Sequence, residues 1–191
     1  MIGGGLAGSE AAWQLAQAGE KVRIFEMRPL VNTPAHKTSY LGELVCSNSL
    51  KADYLENAAG LLKTEMRQMN SLIIKAADLT RVPAGGALAV DREEFAHTVT
   101  KLLMERPEVE IVREEITSLP LDQPAIIATG PLTSPAFTQW LRGLFGREYL
   151  YFYDAVAPIV SKESIDFTKA FMGSRYARGE AAYINCPLNE E

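Results

Sequence analysis

Cysteine and histidine are scarce in this chain, with two of each among 191 residues. Cys46 and Cys186 stand far apart and make neither a disulfide framework nor a metal site. Long apolar runs are also missing. None approaches the roughly 20 residues a membrane-spanning helix needs. No charged leader precedes an apolar core, so no signal peptide is expected. Excess positive charge is absent as well: 19 Lys and Arg against 24 Asp and Glu leave a formal charge of -5. A surface that is basic overall is thereby excluded, although a local basic patch stays open. Together these absences predict a cytoplasmic protein with reduced thiols, no membrane span and no bound metal.

Glycine and small apolar residues are abundant where they carry information. Gly3, Gly5 and Gly8 fit G-x-G-x-x-G within Gly3-Gly4-Gly5-Leu6-Ala7-Gly8. The alanine-rich stretch Leu6 to Ala18 reads as a helix, and Gly19 ends it. Val22 to Phe25 reads as a strand that delivers Glu26 near the distance at which a dinucleotide fold places its ribose-binding acid. The glycines allow a tight turn and close approach of a pyrophosphate, and the helix N-terminus offers amide donors to it. A second signal is Ile126-Ile127-Ala128-Thr129-Gly130. A buried strand running into Thr129 and Gly130 brings bare backbone to the carboxyl edge of the sheet. The two signals together predict an FAD-binding domain rather than a simple NAD dehydrogenase.

The expected class is α/β, a Rossmann-like FAD-binding domain with a largely parallel sheet. Met1 and Ile2 alone stand where a first strand of about five residues is expected, and no closing element follows Cys186. The chain therefore reads as truncated at both ends. Met27 to about Asp53 reads as an ordered functional loop. Leu55 to Met69 reads as a helix with an apolar stripe of Leu55, Ala58, Leu62, Met66 and Met69, and with Lys63, Glu65 and Arg67 on a solvated face. Pro83 to Val90 reads as a loop entering a strand. Asp91 caps a helix running to about Arg106, with Glu94 in the capping-box position. Glu108–Ile116 and Ala125–Ala128 read as further strands.

Longer blocks go beyond a generic fold: Gly3 to Trp13, Phe25 to Pro29, Thr33 to His36, Glu43 to Ser49 (ELVCSNS), Val82 to Arg92 (VPAGGALAVDR), Ala128 to Ser134 (ATGPLTS), Tyr149 to Val160 and Tyr183 to Pro187. In these the chain resembles the TrmFO family of folate- and FAD-dependent tRNA (uracil-5-)-methyltransferases. The resemblance implies methylation of the T-loop uridine of tRNA to ribothymidine. It implies methylenetetrahydrofolate as carbon donor, FAD as cofactor and NAD(P)H as reductant of the flavin. It further implies a protein more than twice this length. Residues 1–150 would be the first section of its FAD-binding domain, and 151–191 would lead toward an inserted second domain. The related GidA-type tRNA-modifying flavoproteins share the glycine fingerprint, and a GidA-like uridine modification or an inactive flavin-binding piece are the alternatives.

Uracil C5 is a poor nucleophile, and thiolate attack at C6 is the usual way to activate it. Cys46 is the thiol with a chemical case, in the polar surround Ser47-Asn48-Ser49. On the residues alone it is either a working loop thiol or a small packed hydrophobe. The resemblance favours the first, beside the flavin, while leaving open whether it attacks the base or serves the flavin-bound carbon. Gly3, Gly4, Gly5, Leu6, Ala7, Gly8, Glu26, Thr129 and Gly130 are the candidate FAD-binding residues. His36 is either a phosphate or folate contact or an ordinary loop histidine, and His97 is expected on a helix surface. Arg28, Lys37, Lys51, Arg81 and Arg92 are either tRNA phosphate contacts or solvated surface charges.

Overall fold

The computed structural model describes residues 1–120, 123–146, 160–174 and 179–187. In chain order the elements are α1 (Leu6–Gln17), β1 (Val22–Glu26), β2 (Ser49–Ala52), α2 (Ala58–Gln68), α3 (Leu72–Leu79), β3 (Arg81–Val82), β4 (Ala87–Val90), α4 (Arg92–Met104), β5 (Val109–Arg113), α5 (Pro135–Phe145), β6 (Phe171–Gly173) and β7 (Tyr183–Asn185). The nucleotide-fold half is parallel. β1 pairs with β5 from Val22↔Val109 to Glu26↔Arg113. Ile2 then bridges in parallel to Phe25 on one side and to Ile127 on the other. Two residues thus stand where a central strand belongs, between β1 and the Ile127 segment. Beside this lies an antiparallel sheet in the order β2-β4-β3, and β6 pairs antiparallel with β7.

Period-two alternation sets what β1 delivers. Val22, Ile24 and Glu26 share its buried face, while Arg23 points to solvent. The same pleat that builds the core with Val22 and Ile24 therefore buries a carboxylate at the strand's end. α1 packs Ala12 and Trp13 into a core shared with Ile24, Leu41, Leu72, Leu88, Phe95, Val99 and Leu103. Phe95, Val99 and Leu103 recur at i, i+4 and i+8 on α4, which Asp91 caps by accepting the Glu93 and Glu94 amides at 3.1 and 3.0 Å.

Three expectations need correction. The stripe on α2 is turned outward: Leu55, Leu62 and Met69 are exposed, whereas Lys63 is buried. The reason is local. A Cβ at Gly60 would lie 2.1 Å from the Tyr54 carbonyl oxygen, so the Gly60 face must pack inward. Lys63 Nζ follows on that face and donates to the Ala52 and Ala59 carbonyls at 2.7 and 3.0 Å. Arg67, also expected on a solvated face, pairs with Asp53 and Asp78. Next, among the described residues the Ala125–Ala128 segment forms no strand beyond an isolated parallel bridge to Ile2, and Ile126 and Ile127 are exposed rather than buried. Finally, the long segment after Glu26 is not all loop, because β2 lies in it. The Tyr149–Val160 block, apart from Val160, and the boundary at 150/151 lie outside the described residues.

Candidate functional site

At the carboxyl end of the parallel strands a cleft opens between the Gly3–Gly5 turn, the end of β1, Glu114–Ile116 and Ala128–Ser134. Two glycines at its base are required by the backbone. Gly3 has φ +95°, and a Cβ there would meet the Ala128 carbonyl oxygen at 2.7 Å. A Cβ at Gly8 would fall 1.9 Å from the Gly3 carbonyl oxygen. Both glycines permit strand, turn and α1 to close on one another. Gly5 is different. Its φ of -72° and ψ of -168° suit any residue, and an added Cβ would meet nothing within 4 Å. A left-handed turn at Gly5 is therefore not what requires glycine. Its Cα simply borders the open cleft.

Gly5 is also the N-cap of α1 and makes no side-chain cap. The other four α-helices are capped by Asn57, Ser71, Asp91 and Ser134, each accepting a first-turn amide. Among the α-helices of the described residues, α1 alone keeps its amide donors and positive dipole end free of such a cap, the arrangement that suits an anion. Across the turn, Glu26 is buried, with Oε2 accepting the Gly4 amide at 3.0 Å. Its Oε1 accepts both the Arg28 amide (3.0 Å) and Arg28 Nε (2.9 Å). Burial is the largest influence on this carboxyl and opposes ionisation. The Arg28 hydrogen bonds and charge, with the Gly4 amide, outweigh it and hold the group below the usual carboxylate range.

Of the expected residues, the structure brings Gly3, Gly4, Gly5, Glu26 and Thr129 to the cleft wall. Leu6 and Ala7 form the first turn of α1, and Gly8 packs beneath it. Gly130, at φ +62°, starts a short 3-10 turn just outside the cleft. Cys46 is free and exposed. Its segment begins at the glycine turn, because Gly42 N–H donates to Gly4 O at 2.8 Å. Arg92 then donates to Leu44 O, two residues before the thiol. His36 lines the cleft beside the Thr33 hydroxyl, 2.6 Å from Nδ1. His97 is exposed and meets the Tyr40 ring edge-on.

Arg28 is the main correction. It is 1% exposed and bridges Glu26 to Glu43, with Nη1 3.0 Å from Glu43 Oε2, so it is no phosphate contact on a surface. Arg81 pairs with Asp53, while Lys37 and Lys51 are exposed. Glu43 also accepts the Lys37 and Thr38 amides and the Thr38 hydroxyl. Glu114, Glu115, Thr133 and Ser134 line the cleft without having been singled out. The signal for the last two was their place just after Thr129 and Gly130.

Over all 191 residues the chain is 64% identical to methylenetetrahydrofolate--tRNA-(uracil-5-)-methyltransferase TrmFO of Moorella thermoacetica and 62% identical to those of Anoxybacillus flavithermus and Brevibacillus brevis. The chain spans 44% of the length of each. Among solved structures, Aquifex aeolicus GidA in its form II crystal aligns at 21% identity and a TM-score of 0.49, over 63% of this chain and 20% of that one. The family model described as glucose inhibited division protein A matches residues 1–191. This chain therefore belongs to the glucose inhibited division protein A family.

Proposed function

We propose that this chain is the flavin-binding part of a cytoplasmic tRNA (uracil-5-)-methyltransferase. That enzyme would convert the T-loop uridine to ribothymidine with methylenetetrahydrofolate as carbon donor and NAD(P)H as reductant. The observation that carries the reading is identity of 58–64% across the whole chain to relatives bearing that name. It favours this activity over a GidA-like modification of another uridine. The cleft suits FAD on its own chemistry. An uncapped helix N-terminus can meet a pyrophosphate, an ionised Glu26 can accept ribose hydroxyls, and the space beyond Gly5 is open. Residues 1–150 would hold the first section of the flavin domain and 151–191 the passage to a second domain. When bound, the flavin supplies reducing equivalents for moving a one-carbon unit to the base.

The chain's own residues then have separable roles. The Gly3–Gly8 turn with Leu6 and Ala7 binds phosphate through backbone, Glu26 orients the ribose, and Thr129 and Gly130 bound the far wall. Cys46 works as a thiol beside the flavin. Its exposure and the link from Gly42 to the glycine turn support that role. Thiolate addition to uracil C6 would make C5 able to take up carbon. The test is a ribothymidine assay on tRNA lacking that modification, using full-length protein with methylenetetrahydrofolate and NAD(P)H. Product at the T-loop uridine supports the reading. A different uridine modification, or none, overturns it.

A further inference from the structure

We propose that Arg28 is a positioning residue for the ligand of this cleft, clamping Glu26 Oε1 so that Oε2 is left to the Gly4 amide and a ribose hydroxyl. The proposal rests on the flavin reading above. A guanidinium that is 1% exposed must be satisfied inside the protein. Arg28 achieves this with Nε on Glu26 at 2.9 Å and Nη1 on Glu43 and the Thr38 carbonyl at 3.0 and 3.2 Å. Its own amide also donates to Oε1 at 3.0 Å. Both acceptor directions of Oε1 are thereby taken. Oε2 accepts one bond, from Gly4, and keeps one acceptor direction. One rigid, planar guanidinium spans Glu26 through Nε and Glu43 through Nη1, a geometry that a single ammonium cannot reproduce. Arg28, which lines the cleft beside Glu26, thus sets the orientation of that carboxylate.

Charge follows the same geometry. The groups facing Glu26 are Arg28 from its own strand end, Glu43 across Arg28, Arg113 of β5, whose Nη1 donates to Arg28 O at 3.0 Å, and Glu114, Glu115 and His36 around the cleft. Burial disfavours ionised Glu26, and Arg28 is the cation bonded to it directly. Without Arg28 the largest remaining influence on the carboxyl is burial, so it would hold a proton more readily and accept a ribose hydroxyl in its charged form less well.

Apo full-length protein should be titrated with FAD, followed by flavin fluorescence, from about pH 5 to about pH 8. Wild-type affinity is expected to stay flat. Arg28→Met should weaken as pH falls, by roughly tenfold or more across the range. Glu26→Gln in the Arg28→Met background should remove that slope. Arg28→Lys serves if the Met variant does not fold. It should keep the profile flat yet bind several-fold more weakly, because one ammonium cannot reproduce the fork. Wild-type affinity and a flat profile in Arg28→Met, or wild-type affinity in Arg28→Lys, overturn the proposal alone. Wild-type protein that takes up no FAD overturns the flavin reading and this proposal with it.

Discussion

Gly8→Ala and Gly5→Ala form a matched pair whose outcomes are set by different atoms. In an ordinary helix, glycine to alanine stabilises by about 1 kcal/mol. At Gly8 the new Cβ would sit 1.9 Å from the Gly3 carbonyl oxygen and 3.4 Å from Ala128 Cβ. The obstacle is backbone, so no side-chain rotation relieves it. Gly3 is itself tied down, its amide donating to the Phe25 carbonyl at 2.9 Å. Relief means moving α1 off the sheet, and overpacking of this kind costs about 1–3 kcal/mol, occasionally more. Because the clash is with backbone, the upper figure of about 3 kcal/mol applies; subtracting the propensity gain of about 1 leaves a net loss of about 2 kcal/mol, or roughly 4–8 °C in Tm. At Gly5 nothing lies within 4 Å, so alanine should cost under about 1 kcal/mol, as at other N-caps. Thermal melting of the two apo variants reads the difference. Gly8→Ala as stable as Gly5→Ala would refute the packing argument for the turn.

Cys46→Ala should leave melting within about 0.5 kcal/mol, since the thiol is exposed, retain FAD, and lose most ribothymidine formation; near-normal turnover would remove Cys46 from the chemistry. Lys63→Ala should cost about 1–3 kcal/mol, because it strips the donor from the Ala52 and Ala59 carbonyls inside the fold, and chemical denaturation checks it. Glu43 gives a pH test. Burial opposes its ionisation, yet the Lys37 amide and the Thr38 hydroxyl and amide hold its carboxyl below the usual range. Its folded value thus lies under the unfolded value of about 4.3, so its contribution is full above that pH and is lost as pH falls through the lowered value. The Tm gap between wild type and Glu43→Gln should therefore close on acidification. A gap independent of pH would contradict this.

The parts of the fold legible in sequence were those governed by local rules. Gly3 to Gly8, the alternation of Val22, Ile24 and Glu26, and the Asp91 cap each state their geometry within a few residues. What failed depended on contacts that hydrophobic patterning does not encode. The inward face of α2 is decided by Gly60 against Tyr54 and by Lys63 reaching the Ala52 carbonyl, and an apolar stripe carries no record of either. Arg28 looks like a surface cation until the register of β1 buries Glu26 beside it and the chain returns Glu43 to its other side. β2 was hidden for a related reason: Lys51 in it has φ +67°, and its pairing with β4 shifts register between Ser49 and Ala52. α5 was readable and went unread. Ser134 caps it, Pro135 opens it and Gly146 closes it at φ +60°.

The central claim is that the cleft between Gly3–Gly5, Glu26 and Thr129 holds a flavin nucleotide by its phosphates and ribose. Its most direct test is FAD binding by apo full-length protein beside Gly5→Val and Glu26→Ala, with melting run on the same samples. Wild type should bind one FAD per chain. Gly5→Val should stay folded but lose binding, because its side chain enters the open space at the turn. Glu26→Ala should lose roughly 1.5–3 kcal/mol of affinity with the charge-assisted bond. Wild-type protein that takes up no FAD, or folded variants that hold it as tightly as wild type, would contradict the account.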